Sequence, residues 1–142
     1  MTYLIDTCVI SETRQRRQDA GVKAWFESQD PISLYLSAIT IGEIENGIQL
    51  IGDTKKAKEL SKWLSDLETL FGRRILSVNT AVAECWGRML AENALAGKTR
   101  PAIDTLIAAT AKVDGHVLVT RNERHMQGLG VEILNPFSNT TS

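Results

Sequence analysis

Apolar positions along the chain switch between strand-like runs and helical stripes. Tyr3–Ile5 is a short apolar run that stops at Asp6 and Thr7, a strand feeding a turn or helix. Ala20–Ser28 carries Val22, Trp25 and Phe26 at helical spacing and ends before Asp30-Pro31. Residues 32–37 (ISLYLS) alternate apolar and polar in a β-rich composition and predict a second strand. Thr40 and Glu43 follow with capping-box spacing, ahead of Ile44, Ile48 and Ile51 on one face, so a helix is expected to start there with Glu43 in its first turn. Gly52-Asp53 breaks that pattern, and residues 54–71 then set Leu60, Trp63, Leu64, Leu67 and Phe71 on one stripe of an otherwise charged helix.

Residues 74–78 (RILSV) predict a third strand. Residues 80–96 show helical periodicity in Val82, Trp86, Met89, Leu90 and Leu95 and stop at Gly97. Pro101 opens a further helix, with Ile103, Leu106, Ile107 and Thr110 expected inward, which ends near Asp114-Gly115. Val117–Val119 and residues 131–134 are the fourth and fifth strands. Strands alternating with helices predict an α/β fold in three layers, an α/β/α sandwich around a mainly parallel five-stranded sheet. No repeat or linker divides the chain, so residues 1–137 read as a single domain and 138–142 as a disordered tail.

Composition narrows the class. At 142 residues the chain can bury roughly two-thirds of the surface its unfolded form exposes, and it needs no staples. Cys8 and Cys85 do not make a disulfide framework and suit a reducing compartment. No run approaches the ~18 apolar residues of a membrane span, and no basic stretch with a long apolar run opens the sequence. A soluble cytoplasmic protein with no membrane partner is expected. Sixteen Lys and Arg against 17 Asp and Glu leave a net charge of −1, which excludes coating duplex DNA by charge alone. A local basic rim remains open, since arginines cluster at Arg14, Arg16 and Arg17, at Arg73 and Arg74, and at Arg121 and Arg124. Arginine suits bidentate phosphate recognition, and a solvated surface is the alternative reading.

The candidate chemistry lies in acids far apart in sequence. Parallel sheets carry their sites in the crevice beyond the carboxyl ends of the strands. Asp6 ends the first strand, Glu43 opens the helix after the second, Asp104 opens the helix after Pro101, and Asn122 follows the fourth strand. This order allows all four to meet at one sheet edge. Three adjacent carboxylates repel one another and need a cation, a shared proton or water. Mg²⁺ or Mn²⁺ matches an oxygen-only donor set and activates water for attack on a phosphodiester. Each acid also has a structural alternative: Asp104 complements a helix dipole, and Glu43 closes a capping box with Thr40.

The stretches YLIDTCVISE (3–12), LSAITIGEIENGI (36–48), DTLIAATA (104–111) and VTRNERHM (119–126), with VEILNPF (131–137) at the end, resemble the successive motifs of the PIN domain. They are most similar to the VapC toxins of bacterial toxin–antitoxin pairs, in the FitB-type branch. The resemblance implies a Mg²⁺-dependent endoribonuclease, with Mn²⁺ as a substitute, that hydrolyses phosphodiester bonds in RNA. It implies metal ligation by Asp6 and Asp104, and a catalytic group of Asp6, Glu43, Asp104, Asn122 and Thr120. Arg121 and Arg124 are substrate-contact candidates. Implied partners are an antitoxin that inserts a basic side chain among the acids, and a second copy in a homodimer. Two positions depart from the pattern: Cys8 stands where many relatives have Asn, and the neutral Asn122 where many have a fourth acid. We therefore expect one firmly held ion, with a second dependent on substrate phosphates.

Other candidates fall away. His116 and His125 match no zinc spacing and read as structural or surface residues. A Cys8 nucleophile is disfavoured by the neighbouring acid and the lack of a nearby histidine. Trp25, Trp63 and Trp86 lie on apolar stripes. A haloacid-dehalogenase-type phosphatase needs a second Asp at position 8, and a response-regulator receiver needs an Asp where the third strand ends in Asn79. The remaining alternatives are a catalytically weak PIN-fold module that binds RNA or protein, and a housekeeping RNA-processing nuclease.

Overall fold

The computed structural model describes residues 1–138. Five parallel strands form one sheet: β1 (Tyr3–Ile5), β2 (Leu34–Ser37), β3 (Ile75–Leu76), β4 (Val117–Val119) and β5 (Ile133–Leu134), in the order β3-β2-β1-β4-β5. The helices are α1 (Thr7–Glu12), α2 (Ala20–Ser28), α3 (Ala38–Ile51), α4 (Lys55–Phe71), α5 (Thr80–Leu95), α6 (Ala102–Val113) and α7 (Glu123–Met126).

Strand alternation sends successive side chains to opposite faces. Ile5, Leu36 and Val119 join Val9, Val22, Ile44, Leu64 and Phe71 in a core under α1 to α4. Leu4 and Leu118 join Val82, Met89, Ile107 and Met126 in a second core under α5 to α7. This is the three-layer sandwich the sequence predicts. In α4 an otherwise charged helix buries Leu64, Leu67 and Phe71, each worth about 1.5–3 kcal/mol of apolar transfer. Among the described residues no helix is long and apolar enough to cross a membrane.

Several element ends move. Residues Pro31–Ser33 form a 3-10 turn capped by Asp30, and Ile32 is 71% exposed, so β2 starts at Leu34. Ser37, not Thr40, caps α3 by accepting from the Ile39 N–H at 3.0 Å. Thr40 is fully buried, and Glu43 is the sixth residue of α3, in its second turn. Ile51 and Ile103, expected to face inward, are both 43% exposed. Leu95 is 90% exposed, and Asn93 takes the buried position on the α5 stripe. Ser138, read from sequence as the start of a disordered tail, gives its N–H and hydroxyl to Asp19 at 2.9 and 2.7 Å. Residues 139–142 lie outside the described residues.

Candidate active site

Strand order makes the crevice. The chain turns from β1 to β2 on one side and places β4 on the other, so the sheet's switch point lies between β1 and β4. Ile5 and Val119 are register partners, and the residues that follow them, Asp6 and Thr120, are therefore neighbours. Thr120 Oγ1 donates to Asp6 Oδ2 at 2.7 Å. Asp6 also caps α1, its Oδ1 accepting from the Thr7 N–H at 2.8 Å. One carboxylate thus starts a helix and faces the crevice.

Asp6 is 6% exposed. Burial raises its pKa most, and the charge of Asp104 adds to that, against the lowering hydrogen bonds from Thr120, Thr7 and Cys8. Glu43 stands on the rim, where Thr7 Oγ1 donates to its Oε1 at 2.6 Å. Its pKa is also raised, first by desolvation and then by the charges of Asp6 and Asp104. Thr7 therefore ties two acids together, through its backbone to Asp6 and through its hydroxyl to Glu43. Asp104 lies in the first turn of α6 and is partly buried. Asp104 is within electrostatic reach of both Asp6 and Glu43, and its charge makes each of them harder to ionise.

Of the other expected residues, Thr120 has a side-chain contact with an acid among the described residues, through its bond to Asp6. Thr120 is buried and accepts from the Asn122 N–H at 3.0 Å. The Asn122 side chain is exposed and does not cap α7. The Arg121 guanidinium lies 4.5 Å from the centre of the Phe137 ring, and Arg124 is exposed on α7. A cleft of about 270 Å³ opens beside Glu43, lined by Thr7, Ser11, Arg14, Ile44 and Trp63 among others. Arg14 sits over Trp63 there, 5.8 Å from the ring centre. Both cysteines are free. Burial and the Asp6 charge push the Cys8 thiol up to about 11, so it stays protonated at neutral pH and offers no nucleophile.

Sequence reasoning missed two partners of the acids. Thr7 carried a signal, a hydroxyl directly after a strand-end acid. His125 was assigned a structural or surface role, yet its Nδ1 lies 3.2 Å from Asp104 Oδ2. Among the described residues no three His, Cys, Asp or Glu side chains stand together as a finished metal cage. Glu43 and Asp104 are each held by a neighbour, Thr7 and His125. The donor set is nevertheless of oxygen type, and among the described residues no Lys or Arg bonds to any of the three carboxylates, which fits a hard divalent ion.

Comparison with known proteins agrees with this layout. The PIN domain family model matches residues 3–128. The VapC ribonuclease Y4jK of Sinorhizobium fredii is 32% identical over 136 residues, 94% of this chain and 96% of that protein. Toxin FitB of Neisseria gonorrhoeae is 34% identical over 135 residues, 94% of this chain and 97% of that toxin. A chain in the crystal structure of FitAcB from the same organism superposes with a TM-score of 0.88 at 34% identity, covering 95% of this chain and 98% of that one. With the family model spanning β1 to β4 and all three acids, the chain belongs to the PIN domain family.

Proposed function

We propose that this protein is a divalent-metal-dependent endoribonuclease that serves as the toxin of a bacterial toxin–antitoxin pair. The observation that carries the reading is Asp6. It is a buried carboxylate at the end of the central strand, within reach of two further acids and with only hydroxyl, thiol and amide donors around it. Holding such a group costs stability, and sites that keep that cost are commonly functional. The names of the relatives supply the substrate class and the biological role: a VapC ribonuclease and a toxin.

Asp6 and Asp104 would hold Mg²⁺, or Mn²⁺ in its place, with Glu43 beside them. Such an ion, when bound, lowers the pKa of a water and neutralises charge on a phosphodiester. The protein's own part is positional. Thr120 and the Thr7 amide fix both oxygens of Asp6, and the Thr7 hydroxyl fixes Glu43. Glu43 would accept a proton from the attacking water, a task its raised pKa suits. The neutral Asn122 amide adds no charge, which favours a single firmly held ion. Arg14 in the cleft beside Glu43 would supply positive charge for the RNA backbone, and Arg121 and Arg124 are further candidates for that contact. An antitoxin would inhibit by inserting a basic side chain among the three acids, and the toxin would act as a homodimer.

The test is RNA cleavage with Mg²⁺ or Mn²⁺, comparing wild type with Asp6→Asn and adding EDTA. Cleavage should fall at least about a hundredfold in the variant, the scale on which one preorganised transition-state contact acts. It should also stop on chelation. Cleavage that survives either treatment removes the proposal. Growth arrest on expression without an antitoxin, absent in Asp6→Asn, tests the toxin role separately.

A further inference from the structure

Asp104 reaches the crevice from a helix start rather than a strand end, and a chain of contacts controls where its carboxylate sits. His125 Nδ1 lies 3.2 Å from Asp104 Oδ2. His125 belongs to α7, which has four residues, too few to hold its own shape without tertiary support. Arg100 supplies that support. Its Nη1 donates to the His125 carbonyl at 2.9 Å and its Nε donates to Asn93 Oδ1 at 2.9 Å. Asn93 is buried on the α5 stripe, and its Nδ2 donates to the Met89 carbonyl at 2.6 Å. A buried amide in an apolar layer is costly unless both ends are satisfied, and here both are.

The geometry has a second element. Arg100 directly precedes Pro101, from which α6 and Asp104 start. The guanidinium also lies against Gly128, where a Cβ would come within 3.2 Å of Nη2 and where φ is +82°. One arginine therefore grips the start of α6 through the chain, α7 through the His125 carbonyl and α5 through Asn93. These are the elements whose relative position sets the distance from His125 to Asp104.

We infer that Asn93, Arg100 and His125 form a positioning relay that holds the Asp104 carboxylate in place beside Asp6. This rests on the reading of the acids as a divalent-ion site of a ribonuclease. The His125 ring stands 3.2 Å from the Asp104 carboxylate, Arg100 fixes the backbone of His125, and Asn93 fixes Arg100. None of the three is a catalytic residue, since each acts through Asp104. Partners behind a metal-holding carboxylate orient it and set its affinity, and their loss costs about 10- to 100-fold in metal affinity or activity.

The experiment uses the full chain with Asn93→Leu, Arg100→Gln, His125→Ala, His125→Gln and the double variant Arg100→Gln/His125→Ala. Mn²⁺ affinity is measured by electron paramagnetic resonance without RNA, alongside kcat and KM for RNA and the melting temperature. His125→Ala and Arg100→Gln should each weaken Mn²⁺ binding and lower kcat about tenfold, with KM and melting temperature close to wild type. The double variant should be no worse than either single one, because both break the same relay. His125→Gln, which keeps an N–H donor, should recover most of the loss. Asn93→Leu fills the buried position with an apolar side chain of similar size, so it should fold and still weaken Mn²⁺ binding. Unchanged Mn²⁺ affinity in both single variants, additive losses, or losses that follow melting temperature would each overturn the relay. So would a wild type that binds no Mn²⁺. A wild type that binds Mn²⁺ with the expected variant pattern but cuts no RNA would overturn the nuclease reading and leave the relay standing.

Discussion

Thr120 shows how much a single hydroxyl can hold at a strand end. It donates to Asp6 and accepts from the Asn122 backbone, so one buried side chain joins the acid to the turn after β4. Replacing it by valine keeps the volume and leaves both partners unpaired. We expect Thr120→Val to lose about 1–3 kcal/mol in urea unfolding, and Thr120→Ser to lose far less. Equal losses in the two variants would assign the effect to the methyl group instead. His116 makes a different point, away from the acids. It is hydrogen-bonded to Thr2 Oγ1 at 2.7 Å and packs on Tyr35 with ring centres 4.6 Å apart. Desolvation lowers its pKa below 6.5, with the Asp114 charge opposing. The unfolded chain therefore binds the proton more readily, so this contribution to stability is present above pH 6.5 and is lost as pH falls through the folded pKa. The advantage of wild type over His116→Gln in melting temperature should narrow from pH 8 to pH 5. A constant gap would show that His116 does not titrate between the two states. At this scale the sequence brought Asp6 forward, because an acid closing an apolar strand is legible. It did not identify Thr7 or His125 as partners of the acids, because those contacts join α1 to α3 and α7 to α6 and have no local signature.

Elements were legible where a period ran long and illegible where it was short. The α4 stripe spans 17 residues and its inward positions follow from spacing alone. β3 and β5 are two residues each, recognisable only from the strand–helix alternation around them. The start of α3 was misplaced because Thr40 and Glu43 match a capping box by spacing, while Ser37 ends β2 and caps the helix at the same time. The Thr40 hydroxyl instead lies in the interior, 3.1 Å from Thr7 Oγ1. On α5 the stripe through Val82, Cys85 and Met89 continues to Asn93 by helical spacing, and hydrophobicity alone drew the reading to Leu95. The start of α2 gives a prediction at this scale. Asp19 caps it through the Gly21 and Val22 N–H groups and also holds Ser138, which brings the backbone at Pro136 and Ser138 against Gly21. A Cβ at Gly21 would run into the Pro136 carbonyl oxygen and the Ser138 nitrogen, both backbone atoms. Alanine favours helix over glycine by up to about 1 kcal/mol, so a neutral site would gain from the change. We expect Gly21→Ala to destabilise the protein instead, by about 1–3 kcal/mol of overpacking. Amide exchange should quicken at Phe137 and Ser138 more than in β1. A stabilised variant would show that the C-terminal segment does not pack on α2.

For the molecule as a whole, the sheet order explains why acids 98 residues apart in the chain, Asp6 and Asp104, act on one another. β1 lies at the centre of the sheet, with β2 and β3 to one side of it and β4 and β5 to the other. The two apolar cores fix that arrangement, and the site inherits its position from them rather than from local sequence. The cost appears as desolvation first and repulsion second: burial raises the pKa values of Asp6 and Glu43 most, and the charge of Asp104 adds to both. A divalent ion among these acids should relieve a penalty that only the native state carries. Binding to the native state alone stabilises by RT ln(1 + [L]/Kd), about 2.7 kcal/mol at a hundredfold excess over Kd. At roughly 3 °C per kcal/mol for a chain of this size, saturating Mn²⁺ should raise the melting temperature by about 8 °C. With a net charge of −1, general screening contributes little, so NaCl at equal ionic strength should leave the melting temperature nearly unchanged. Removing the charge also removes the site: Asp104→Asn should gain almost nothing from Mn²⁺. A Mn²⁺ response that persists in Asp104→Asn would place the stabilising ion elsewhere on the surface.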